Sequence, residues 1–113
     1  MDVYTVWPDS ALDTAFAGDE TAFFLSTNSR SMPGEAARTL AAETTRALRA
    51  AARRGKRDLV IASRSDSTLR GHYVEETEGI AAGWGVQPDG IIVVPAFFEG
   101  GRYTVGDVHW AVQ

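Results

Sequence analysis

Four short apolar runs divide the chain, and each has the length and composition of a β-strand. They are rich in β-branched and aromatic side chains, and turn residues such as Pro8 and Gly90 bound them. The predicted strands are residues 3–7, 21–26, 59–62 and 91–94. The last is entirely β-branched and is the most strand-like run of the protein.

Between these runs the apolar residues recur every three or four positions, which indicates helices. The predicted helices are residues 11–17, 33–54 and 73–84. In the second, Pro33 suits a first turn, Glu35 complements the positive helix start, and Gly55 ends the helix. Its apolar positions are mostly alanine, so this helix can approach a sheet closely.

Strands that alternate with helices predict parallel strands joined by right-handed crossovers. The fold class expected is therefore α/β, with a mostly parallel sheet and helices on its faces in a three-layer, Rossmann-like arrangement. A chain of 113 residues forms one domain at most, with a modest core.

Charge and composition exclude several classes of partner. A formal net charge of −4 argues against nucleic acid, because a phosphate backbone requires a basic face. The sequence has no cysteine, hence no disulfide or thiolate metal site. It also has no apolar run of membrane-spanning length and no visible signal peptide, so the expected location is the cytoplasm, without a membrane partner.

The most informative polar stretch, residues 63–72, follows the third predicted strand and precedes the third predicted helix. Backbone N–H groups around Ser67 and Thr68 would lie at a helix start, which favours an anion. Arg64 and Arg70 add planar donors that suit carboxylate or phosphate. The stretch is interpreted as an anion-binding loop; the alternative is an ordinary helix cap with two solvated arginines.

Polar residues also follow two other predicted strands. Ser29 and Arg30 come after the second, and Arg102 and Thr104 come after the fourth. Parallel strands end at one sheet edge, where ligands bind in such folds. Four arginines at that edge would repel one another unless an anion lay between them, so a small hydroxy-carboxylate is the predicted ligand. A local ion network with Asp66 is the structural alternative.

Three of these segments resemble motifs of the four-carbon acid sugar kinase family. Residues 66–71, Asp-Ser-Thr-Leu-Arg-Gly, match its Lys-x-Asp-Ser-Thr-Leu-Arg-Gly signature; residues 27–30 and 95–106 resemble its Ser-Arg and Pro-Ala-Phe, Gly-Arg-x-Thr elements. The resemblance is to the N-terminal substrate-binding domain. It implies that the complete enzyme phosphorylates threonate, erythronate or 3-oxo-tetronate, using ATP and Mg²⁺.

The resemblance and the strand-end positions together suggest a role for each polar residue. The expected contacts to substrate carboxylate or phosphoryl groups are Arg30, Arg64, Arg70 and Arg102, and the expected hydroxyl partners are Ser29, Ser67 and Thr104. Asp66 is the candidate catalytic residue, to orient or deprotonate the attacking hydroxyl. His109 lies where the family tends to have histidine and is a candidate ligand contact, whereas His72 is expected to be structural. No metal site is predicted.

The sequence also departs from the family. Arg64 stands where the family has lysine, which replaces a point charge by a planar fork. The family's opening strand, with an Asp-Asp-x-Thr-Gly-Ala element, and its C-terminal nucleotide-binding domain are absent from residues 1–113. The expectation is a partial sugar-acid-binding domain that is inactive alone and completed by the missing domain or a partner chain. The rival interpretation is a non-catalytic α/β module, or a split subunit, that binds a small carboxylate.

Overall fold

The computed structural model describes residues 1–65 and 70–112. Its elements, in chain order, are β1 (Val3–Tyr4), α1 (Asp9–Ala17), β2 (Phe24–Leu25), α2 (Gly34–Gly55), α3 (Tyr73–Trp84), β3 (Arg102–Val105) and β4 (Val108–Ala111). Short 3-10 helices lie at Ser29–Ser31 and Phe98–Gly100. The mixed α/β class is confirmed, and the three helices lie close to their predicted positions. None of the helices described is long and apolar enough to cross a membrane.

The first two strands form a parallel pair, with α1 as the crossover between them. Val3 is aligned with Phe24 and Tyr4 with Leu25. The amide of Phe24 donates to the Asp2 carbonyl over 2.9 Å. Parallel neighbours cannot be joined by a tight turn, so the helix between them is required by the geometry.

The main core lies between α1 and α2. Leu12 is fully buried, and Phe16 packs edge-on against Phe23 with 5.4 Å between ring centroids. From α2, Leu48 and Ala51 complete the cluster. The alanine-rich face predicted for this helix therefore packs inward in part: Ala37 and Ala51 are buried, whereas Ala36 is exposed.

Helix α3 lies very close to α2 because it presents glycines at the contact. A Cβ atom at Gly79 would lie 2.4 Å from the Arg38 carbonyl oxygen, and one at Gly83 would lie 2.5 Å from the Ala42 carbonyl oxygen. No real Cβ tolerates such distances. An ion pair of 2.5 Å between Arg38 and Glu78 also joins the two helices.

The structure does not form the third and fourth predicted strands. Residues 59–62 alternate like a strand, with Leu59 and Ile61 against the core and Val60 92% exposed, yet their backbone pairs with no described residue. Residues 91–94 likewise form no strand and are exposed. A β-rich sequence becomes a strand only when its backbone pairs with a neighbouring strand, and neither run pairs in this way with a described residue. Among the described residues the structure forms a two-stranded parallel sheet and a hairpin, and the predicted three-layer parallel sheet is not formed.

The β3–β4 hairpin was not among the predicted elements, which end with the strand at residues 91–94. Gly106 and Asp107 both have positive φ, 55° and 62°, and join Val105 to Val108 in a two-residue turn. Such turns match the twist of antiparallel strands. The Cα atoms of the hairpin lie within 8 Å of none in α1, α2, α3, β1 or β2, so the hairpin stands apart from the core.

Candidate functional site

A cleft of about 290 Å³ lies at the carboxyl end of β2. Its walls come from residues 25–30, from Arg64 and Ser65, and from Gly71 and Glu76. Two of the three predicted strand-end segments therefore meet in one place.

The loop after β2 begins with a backbone reversal at Asn28, whose φ of 50° is left-handed. Asparagine tolerates this conformation better than most residues, because its short side chain bonds locally. The reversal leads directly into the 3-10 helix Ser29–Ser31. Ser29 and Arg30 are thus brought to the wall of the cleft.

Arg64 approaches the cleft from the other side. Its guanidinium lies over the Phe24 ring, 5.9 Å from the ring centroid. A guanidinium presents planar N–H donors that suit a carboxylate. Arg30 and Arg64 therefore place two positive charges on the same small cleft.

A cluster of hydroxyls surrounds one carboxylate beside these arginines. Ser29 Oγ donates to Glu76 Oε1, and Ser63 Oγ donates to Glu76 Oε2 over 2.9 Å. Thr27 Oγ1 in turn donates to Ser29 Oγ over 3.2 Å. Glu76 was not among the site residues predicted from the sequence. The available signal was its position in the first turns of the helix that follows the anion-binding loop.

Ser65 lines the cleft, and His72 lies just outside its lining, at the start of α3. Ser65 Oγ is buried without a hydrogen-bond partner among the described residues. His72 Nε2 bonds the Met32 carbonyl over 2.7 Å, and because a carbonyl only accepts, this nitrogen carries the proton. His72 therefore joins the start of α3 to the loop before α2, in line with the structural role predicted for it.

The remaining predicted residues of the anion-binding loop are placed less fully. Arg70 is exposed and directly precedes Gly71, which lines the cleft. Asp66 and Ser67, the predicted catalytic residue and one predicted hydroxyl partner, lie outside the described residues. Their assignments stay predictions.

The structure does not bring Arg102, Thr104 and His109 to this cleft. Arg102 Nη1 donates to the carbonyls of Gly100, over 2.5 Å, and Val112, over 3.5 Å. Thr104 and His109 face each other across the hairpin, with 3.2 Å between Oγ1 and Nδ1. In this conformation all three side chains make contacts within the hairpin.

A larger groove of about 850 Å³ adjoins the cleft. It runs between β2 and residues 56–64, and α2 forms its floor with Leu40, Ala41 and Leu48. The groove and the cleft share Ser29, Arg64 and Glu76. These residues therefore lie where the groove meets the cleft.

No group of three or more His, Asp or Glu side chains within residues 1–65 and 70–112 is arranged to hold a metal ion. Both oxygens of Glu76, the carboxylate that lines the cleft, already accept serine hydroxyls.

Comparison with protein families decides the class of ligand. A family model described as the sugar-binding N-terminal domain matches residues 2–113. The chain belongs to this family. A search of curated proteins and a search of solved structures each gave no match. The sugar-binding domain assignment confirms the coarser part of the prediction made from the motifs, and it indicates a sugar-binding role for the chain.

The cleft of this sugar-binding domain has the groups that such a role requires. Hydroxyls and a carboxylate can exchange hydrogen bonds with sugar hydroxyls, and Arg30 and Arg64 add donors for an acidic group. Sugar-binding sites need convergent polar groups on rigid walls. Helix α3, which carries Glu76, provides one such wall through its close packing on α2.

Proposed function

We propose that this sugar-binding domain holds a four-carbon sugar acid, such as threonate, erythronate or 3-oxo-tetronate, in the cleft at the end of β2. The observation that carries the proposal is the meeting of Arg30 and Arg64 with a hydroxyl cluster in one cleft of a sugar-binding family member. The arginines suit the carboxylate of the ligand and the hydroxyls suit its alcohol groups.

The size of the cleft supports a small ligand. Pockets for drug-sized molecules range from roughly 300 to 1,000 Å³. At about 290 Å³ the cleft lies just below this range, which suits a molecule of a few carbons. A longer sugar acid would extend into the adjoining groove.

We further propose that the domain is the substrate-binding part of an ATP-dependent kinase. The ATP and Mg²⁺ would be held by a separate nucleotide-binding domain or partner chain, and ATP would provide the phosphoryl group. The residues of this chain would bind and orient the acid. Asp66 would orient the attacking hydroxyl, and Ser67 and Arg70 would contact the ligand. The sheet of the complete domain would be mostly parallel.

Calorimetric titration of the 113-residue chain with threonate, erythronate and 3-oxo-tetronate tests the binding proposal. Threitol is the matched control for threonate, because it has the same carbon chain with a hydroxymethyl group in place of the carboxylate. We expect at least one acid to bind and threitol to bind at least about tenfold more weakly, since charge-assisted bonds to arginine are lost. Absence of binding by all three acids, or equal binding of threitol, would refute the proposal.

The kinase proposal has its own assay. The chain is incubated with ATP, Mg²⁺ and each acid, with and without a nucleotide-binding domain of a four-carbon acid sugar kinase, and ADP is measured. We expect acid-dependent ADP release only in the reconstituted mixture. If the acid binds but the reconstituted mixture releases no ADP, the kinase proposal is refuted and the domain is a non-catalytic binding module.

A further inference from the structure

The directions of the hydrogen bonds around Glu76 restrict which ligand groups the serine side chains of the cleft can bind. Ser29 Oγ has a single proton, and it donates that proton to Glu76. The same oxygen accepts from Thr27. What Ser29 can still offer a ligand is therefore one acceptor position. Ser63 has likewise donated its proton to Glu76.

This side of the cleft thus favours a ligand group that donates. A sugar hydroxyl can donate to Ser29, whereas a carboxylate has no proton to donate and would also approach the negative charge of Glu76. Arg30 and Arg64 line the same cleft and favour a carboxylate. The cleft therefore offers a ligand two chemically different kinds of partner.

The position of Glu76 in the cleft is fixed by the helix that carries it. Its amide donates to the His72 carbonyl over 2.8 Å, so its backbone belongs to the first turn of α3. That helix is fixed on α2 by the close approach at Gly79. The carboxylate reaches from this base to two separate loops, one carrying Ser29 and one carrying Ser63.

We infer that Glu76 is a specificity-determining residue, which orients the bound acid with its hydroxyl end toward Ser29 and rejects four-carbon dicarboxylic acids. The inference rests on the proposed function and adds the direction of the ligand and the class of molecule that is excluded. Rejection by an unpaired like charge is a common route to specificity.

Tartrate is the probe that tests this inference, because it differs from threonate only by a carboxylate in place of the terminal hydroxymethyl group. Calorimetry on the 113-residue chain gives the ratio of the two dissociation constants. We expect threonate to bind at least about tenfold more tightly than tartrate. In the Glu76→Gln variant we expect weaker threonate binding, tighter tartrate binding and a ratio below about threefold.

Glu75→Gln is the matched control, since it removes the same charge from the preceding position of α3 and should leave the ratio unchanged. Ser29→Ala is a second variant that keeps the Glu76 charge. It should weaken threonate binding while tartrate is still rejected. A role of Glu76 in stability alone would lower the melting temperature of Glu76→Gln without changing the ratio.

The outcomes separate the two proposals. If the wild-type chain binds neither acid, both the proposed function and this inference are refuted. If it binds threonate and tartrate equally, or if Glu76→Gln leaves the ratio unchanged, the inference is refuted and the sugar-acid site stands.

Discussion

The N-terminal helical part of this molecule, which contains α1, α2 and α3, and the C-terminal part, residues 91–112, use the same residue types in different ways. Arg64, in the first part, lies over Phe24 and lines the cleft. Arg102, in the second, donates to the carbonyls of Gly100 and Val112 within its own hairpin. Both were predicted from strand-end positions to contact a ligand. The comparison teaches that an arginine at such a position can bind a ligand only with N–H groups that do not already donate to nearby backbone carbonyls.

The two parts also differ in how they are stabilised. The helices bury a continuous core around Leu12 and Leu48, whereas residues 91–94 have side chains that are 51–90% exposed. The hairpin is held by its own ladder and turn. Substitutions in the helical part should therefore affect global stability, and those in the C-terminal part should have local effects.

The largest expected effect on stability comes from the core. Leu12→Ala should lower the free energy of unfolding by about 3 kcal/mol, because it removes a fully buried side chain and leaves a cavity. Ile92→Ala, at a side chain that is 90% exposed, is the control and should change stability by less than about 0.5 kcal/mol. Urea unfolding measures both. Equal losses would mean that the C-terminal part belongs to the same core.

The next effect concerns the contact between α2 and α3. Gly79→Ala should cost about 2 kcal/mol, because its Cβ would overlap the Arg38 carbonyl unless the helices move apart. Gly90→Ala is the matched control, since nothing lies within 4 Å of a Cβ there. Thermal unfolding of the two variants gives the comparison. An unchanged Gly79→Ala melting temperature would show that the helices do not approach as described.

The smallest effect on stability is expected in the hairpin turn. Gly106→Ala should cost about 1 kcal/mol locally, because alanine is strained at a φ of 55°. Amide hydrogen exchange should accelerate in β3 and β4, while the helices keep their protection. Asp107→Gly, at a φ of 62°, should not accelerate exchange, since glycine adopts this conformation readily. Faster exchange throughout α2 in Gly106→Ala would contradict the independence of the hairpin.

The sequence predicted the helices well because their signals are local. Pro33 and Gly55 mark the two ends of α2, and the spacing of its alanines marks the buried face. The strand at 59–62 was predicted wrongly, since pairing depends on a neighbouring edge that no local pattern encodes. The hairpin could have been found, because a Gly-Asp pair between two valines is typical of a two-residue turn.

The candidate site was predictable in part for a similar reason. The meeting of Arg30 and Arg64 follows from a rule of topology, since loops at the ends of strands converge. Glu76 was missed because a glutamate in the first turns of a helix resembles any solvated acid until its hydroxyl partners are known. Those partners, Ser29 and Ser63, are 47 and 13 residues away in sequence.

One pair of variants tests the central claim, that the sugar acid binds in the cleft at the end of β2, most directly. Threonate binding is measured by calorimetry for the wild-type chain, Arg64→Gln and Arg102→Gln, which lose the same charge in the two parts of the molecule. We expect Arg64→Gln to weaken binding at least about tenfold and Arg102→Gln to change it less than about twofold. Equal losses in the two variants, or a larger loss in Arg102→Gln, would contradict this location of the site.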